Sequence, residues 1–116
     1  MKTIVIMVAI VASVFGMQSC AAQQQGEIDL KNAFLVDVRT PEEVAEGTVE
    51  GSVNIPLNEV EQRLAEFEGK GQIVLFCRSG SRSGQAKSIL EKNGHTNVIN
   101  GGTWEQVQAK VAAEQK

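Results

Sequence analysis

Apolar positions fall into short blocks separated by glycine, proline and charge. Ala33-Phe34-Leu35-Val36-Asp37-Val38 is a compact apolar run ending in a charged turn, the pattern of a buried parallel strand. Thr40-Pro41-Glu42-Glu43 predicts a helix start. Thr40 suits the N-cap, Pro41 the first helical position, and the acids the positive end of the helix. Gly47 ends it, and Val53-Asn54-Ile55 reads as a short strand before Pro56. Asn58 is the expected cap of a second helix, with Val60, Leu64 and Phe67 on one buried face. Gly69-Lys70-Gly71 breaks it. Gln72-Ile73-Val74-Leu75-Phe76 is the strongest strand signal. Ser83 to Asn93 predicts a helix with Ala86, Ile89 and Leu90 inward, closed by Gly94. Asn97 to Asn100 reads as another short strand, and a last helix runs from Thr103. Strands alternating with helices predict an α/β fold, a parallel sheet with helices on both faces.

The first nineteen residues do not fit that scheme. Lys2 is the only charge before Glu27, and Ile4 to Gly16 are all apolar or small. Thirteen residues make roughly 20 Å of helix, short of the ~30 Å hydrocarbon core, so the segment reads as a signal peptide rather than a spanning anchor. It runs into Met17-Gln18-Ser19-Cys20-Ala21, which resembles a bacterial lipoprotein signal with Cys20 as the lipidated residue. Ordinary secretory cleavage near Ala21-Ala22 is the rival. The expected division is a signal over residues 1–19, a flexible tether over 20–27 and one domain over 28–116. The expected location is the periplasmic side of the cell envelope, lipid-anchored, or alternatively soluble in the periplasm.

Composition narrows the chemistry. With 116 residues there is room for one core. A net charge of −3 argues against nucleic acid as a partner. One His and two Cys leave no basis for a metal site, and no cofactor is expected. Charge is uneven: residues 41–68 carry eight acids and one base, whereas residues 70–110 carry six bases and two acids. Two of those bases follow the second cysteine.

Cys77-Arg78-Ser79-Gly80-Ser81-Arg82-Ser83 lies past the carboxyl end of the best strand and leads into a helix. Ligands bind at that end of open parallel sheets. A Gly/Ser turn can aim backbone N–H groups inward, and the helix start adds a positive pole. The same surroundings favour a thiolate. Only about 3% of a free Cys is ionised at pH 7, and lowering its pKa by roughly two units needs about 2.7 kcal/mol. Cys77 is therefore the candidate nucleophile. Arg78, Ser79, Gly80, Ser81, Arg82 and Ser83 form the candidate anion cradle, with Arg82 expected to face solvent.

This segment resembles the active-site loop of the rhodanese family. Leu35-Val36-Asp37-Val38-Arg39 with Pro41-Glu42-Glu43, then Gly47 to Pro56, and finally Gly101-Gly102 with Trp104, resemble the family's other motifs. The resemblance covers about residues 33–106. With the export signal, it points to the small single-domain, periplasmic phage-shock-protein-E type. It implies a three-layer α/β/α fold with a small central parallel sheet. It also implies sulfur transfer: Cys77 takes sulfane sulfur from thiosulfate or a similar anionic donor and passes it to a thiol or cyanide. A thioredoxin-like protein is a candidate acceptor, and a monomer is expected. Asp37 and Arg39 are expected to be structural, orienting the loop. Thr48 stands where the family often has His, and His95 is expected to be an exposed turn residue. The segment before Ala33 is short for the edge strand and helix that often open such domains.

Two rival readings remain at this level. Phosphatase or arsenate-reductase loops place five residues between Cys and Arg, which would require Arg at position 83, where this chain has Ser83. A persulfide carrier or a binding module without turnover is the other.

Overall fold

The computed structural model describes residues 28–114. The predicted signal peptide, Cys20 and the tether lie outside the described residues. Four strands, β1 (Ala33–Asp37), β2 (Val53–Asn54), β3 (Gln72–Cys77) and β4 (Val98–Thr103), form one parallel sheet in the order β2-β1-β3-β4. Between them run helix α1 (Pro41–Ala45), a 3-10 segment (Leu57–Phe67) and helix α2 (Ser81–Lys92), and helix α3 (Trp104–Glu114) follows β4.

Alternation along β3 builds the layers. Ile73, Leu75 and Cys77 face a cluster with Val60, Phe67, Ala86 and Leu90. Val74 and Phe76 face the opposite cluster, with Val49, Val107, Trp104 and Val111. Residues Ile73 to Cys77 are all 0% exposed, which only a central strand covered on both faces allows. Each buried aliphatic or aromatic side chain contributes about 1.5–3 kcal/mol relative to exposure. The result is the three-layer α/β/α arrangement, with the carboxyl ends of β1 and β3 side by side.

The first helix starts as expected. Thr40 Oγ1 accepts from Glu43 N, and Thr40 N donates to Glu43 Oε1, a complete capping box. The second helix differs. It is a 3-10 segment that follows Pro56 with no side-chain cap, and its backbone kinks at Arg63. Leu57 and Val60, and then Leu64 and Phe67, are each three apart, so three residues per turn aligns each pair inward. The kink resets the register between the pairs. Arg63 spans it, donating to Glu59 at 2.8 Å and Glu66 at 2.7 Å.

β4 runs further than its apolar pattern suggests. The β3–β4 register shifts between Leu75 and Phe76, so Leu75 pairs with Asn100 but Phe76 with Gly102. Gly101 is the extra residue of this bulge. A Cβ there would stand 2.8 Å from Val107 Cγ2 and 3.1 Å from Val74 Cγ1, so the close approach of α3 to the sheet requires glycine.

His95 corrects an expectation. It is not exposed: its side chain is 11% accessible and packs edge-on to the Phe67 ring, with Nε2 3.6 Å from Glu68. The turn after α2 folds back, with His95 N donating to Leu90 O, and this lays the imidazole on the core instead of in solvent.

Candidate active site

Helix α2 begins at Ser81, two residues earlier than its pattern predicts, so Arg82 and Ser83 lie in its first turn. Gly80 occupies the N-cap position at φ 97°, a left-handed conformation, and no side chain of the cap residue serves the orphan N–H groups. The sulfur of Cys77 serves them instead. Cys77 Sγ accepts from Gly80 N at 3.0 Å and from Ser83 N at 3.4 Å, and Ser83 Oγ lies 3.5 Å away. A thiolate there meets the positive end of a helix.

Burial pushes the Cys77 thiol up, but the Ser83 hydroxyl and the N–H groups of Ser83, Ser79 and Gly80 outweigh it. The net effect lowers its pKa. The Ser83 hydroxyl and the loop N–H groups supply this stabilisation, while Arg82 also interacts with the Cys77 charge but pairs first with Glu43. Arg82 donates Nη1 and Nη2 to the Glu43 carboxylate at 2.8 and 3.0 Å, and Arg78 donates Nε to it at 3.2 Å. The Arg82 side chain is 32% exposed and that of Arg78 61%. Arg82 is thus held against the protein rather than free in solvent, while Arg78 and Ser79 stand at the exposed mouth. Ser81 lies on the exposed side of the turn, where its N–H faces Ser79 Oγ at 3.4 Å.

Three residues at this site were given no site role from sequence. Glu43 is one; it was read only as an acid at the helix start and as part of the Pro41-Glu42-Glu43 motif. Asn100 of β4 is the second. Its Oδ1 accepts from Ser83 Oγ at 2.7 Å, and its Nδ2 donates to Gly80 O at 3.1 Å. A polar residue in an apolar strand, just before Gly101-Gly102, was the available clue. Thr48 is the third, donating Oγ1 to Asp37 Oδ2 at 2.6 Å.

Thr48 completes a buried network at the end of β1. Arg39 and Asp37 are 2% and 0% exposed, with Nη2 and Oδ2 2.7 Å apart. Arg39 also donates Nη2 to Gly47 O at 2.6 Å, and its guanidinium lies 5.0 Å from the Trp104 ring centroid. Asn54 Nδ2 donates to the carbonyls of Asp37 and Arg39. These contacts tie β1 to residues 47–54 and to Trp104 of α3.

A cavity of about 240 Å³, lined mainly by Val38, Pro56 and Leu57 with Thr40 and Asn58, abuts Arg82. A wider hollow of about 680 Å³ between β4 and α3 offers Gln106 and Lys110 but no nucleophile. Among the described residues, no cluster of three or more His, Cys, Asp or Glu could hold a metal ion. Among the same residues, no helix is long and apolar enough to cross a membrane.

Known proteins place this geometry. The chain is 42% identical over 69 residues to the thiosulfate sulfurtransferase PspE of Escherichia coli, covering 58% of this chain and 66% of that protein. It is 36% identical over 72 residues to a sulfurtransferase of Allochromatium vinosum, covering 62% of this chain and 67% of that one. The chain thus spans about two thirds of the length of these curated relatives. Among solved structures, a rhodanese with anions from E. coli superposes with a TM-score of 0.60 at 38% identity, over 64% of this chain and 89% of that one. The human single-domain sulfurtransferase TSTD1 superposes with a TM-score of 0.59 at 30% identity, over 84% and 93%. The family model for the rhodanese-like domain matches residues 19–110, which includes every element of the sheet and the whole cysteine loop, and this chain belongs to that family.

Proposed function

We propose that the protein is a sulfurtransferase that carries sulfane sulfur on Cys77, with thiosulfate or a similar anion as donor. The observation that carries this reading is the seat of Cys77 Sγ, which accepts the N–H groups of Gly80 and Ser83 at the start of α2. The Cys77 thiolate attacks the outer sulfur of thiosulfate. The new bond joins the two sulfurs, the bond to the sulfite sulfur breaks, and sulfite leaves with the electron pair. The persulfide that remains carries one negative charge on its outer sulfur. Inward N–H groups of the loop from Arg78 to Ser83 stabilise that charge and the charge developing during transfer. A thiolate or cyanide then attacks the outer sulfur and restores the Cys77 thiolate, completing a two-step covalent cycle.

Arg78 and Arg82 orient the anionic donor by charge. The cavity beside Arg82 offers an apolar seat for the acceptor thiol. With Ser83 in place of a terminal arginine, the loop forms a short cradle suited to one sulfur atom rather than a phosphate or arsenate group. We further propose that the domain works at the periplasmic face of the cell envelope, held there through Cys20. The test of the chemistry is mass spectrometry of the purified protein after thiosulfate. A gain of about 32 Da on the peptide containing Cys77, absent in Cys77→Ser, is expected. No gain, together with hydrolysis of phosphate esters, would replace sulfur transfer with phosphatase chemistry.

A further inference from the structure

Glu43 occupies the donors that an anionic substrate would use. Both of its carboxylate oxygens sit on Arg82, and one also accepts from Arg78. Thr40 holds the same carboxylate from the other side, through N at 3.0 Å and Oγ1 at 3.1 Å. The carboxylate is therefore fixed by α1, independently of the loop. Arg82, Thr40 and Arg78 hold its pKa well below the usual carboxylate range, so it is ionised at neutral pH. With two guanidinium charges against one carboxylate and one thiolate, the site is neutral overall.

The capping box alone does not demand a charge at position 43, since Glu and Gln serve that motif equally. The charge of Glu43 has its effect on the arginines. We propose that Glu43 sets donor specificity, discriminating against dianionic donors such as thiosulfate and favouring sulfane donors with a single negative charge, such as a persulfide or a thiosulfonate. This deepens the sulfur-transfer reading and rests on it. The bond chemistry is the same for both classes. Cys77 takes the outer sulfur, and sulfite from thiosulfate, a sulfinate from a thiosulfonate or a thiolate from a persulfide leaves with the electron pair. Only the charge that must enter beside Glu43 differs.

Glu43→Gln tests this, because glutamine keeps the capping box and removes the charge. Two ratios are measured in the wild type and the variant. One is kcat/KM for thiosulfate over kcat/KM for benzenethiosulfonate. The other is the Cys77 alkylation rate with iodoacetate over that with iodoacetamide. Each pair differs by one negative charge, so both ratios should rise together, by roughly tenfold. Either ratio staying within twofold of wild type, or an equal fall with both donors, overturns the proposal and leaves Glu43 a positioning residue. Should neither donor load Cys77 in either protein, the sulfur-transfer reading fails separately. A raised alkylation ratio would still establish the charge screen, and an unchanged one would overturn it.

Discussion

The Ser83 hydroxyl lies 2.7 Å from Asn100 Oδ1 and 3.5 Å from Cys77 Sγ, with a single hydrogen to give. Asn100 also donates to Gly80 O, so one side chain from β4 holds both the apex of the loop and the first turn of α2. Replacing it by alanine leaves Ser83, buried at 0% exposure, without its short acceptor. Asn100→Ala should cost about 1–3 kcal/mol in urea unfolding and slow sulfur loading of Cys77. A variant as stable as wild type that loads at the same rate would remove Asn100 from the support of the loop.

The Cys77 thiol ionises below the ordinary value of an unfolded cysteine. Its ionisation therefore favours the folded state above the unfolded pKa, and the contribution is lost as pH falls through the folded pKa. The pH profile of alkylation by iodoacetamide should have its midpoint at a lower pH when folded than in urea. Ser83→Ala should move the folded midpoint upward, because the hydroxyl is the first of the groups that lower it. Equal midpoints for folded and unfolded protein would contradict the loop's role.

Gly101 is where α3 approaches the bulge. The Cβ of Gly101→Ala would meet Val107 Cγ2 at 2.8 Å and Leu75 O at 3.3 Å, and the backbone carbonyl has no freedom to retreat. The variant should lose about 1–3 kcal/mol in denaturant unfolding through overpacking. Gly51→Ala, where nothing lies within 4 Å, is the control for added bulk, although its φ of 85° brings its own backbone strain. If Gly101→Ala is no less stable than wild type, the contact of α3 with the sheet is looser than these distances require.

Cys20 is proposed as the membrane attachment point. Several acyl chains on one cysteine hold a protein firmly, where one chain binds marginally. Cells grown with a labelled fatty acid should label the wild type and not Cys20→Ala, and the wild type should pellet with membranes. Equal labelling of both proteins would show that Cys20 carries no lipid.

Local pattern was enough for the layers and the loop. The apolar block of β3, its twofold alternation and the Gly/Ser turn after Cys77 are short-range features, so the sheet, the two helix layers and the placement of Cys77 were readable from sequence. The N-cap at Thr40 was readable for the same reason, since the cap and its partner Glu43 lie three residues apart. What joins the site was not. Glu43 reaches Arg82 across 39 residues, and Asn100 reaches Ser83 across 17. Neither pairing has a sequence period, because each is created by bringing the ends of neighbouring parallel strands together. The 3-10 geometry of Leu57–Phe67 and the covered position of His95 belong to the same class: both satisfy the packing of Phe67 against the sheet, a tertiary demand that overrides local helix and turn preferences. Sequence by itself determined that Cys77 would sit at a helix start beside two arginines. Only the tertiary structure decided that a carboxylate from α1 would stand on that charge.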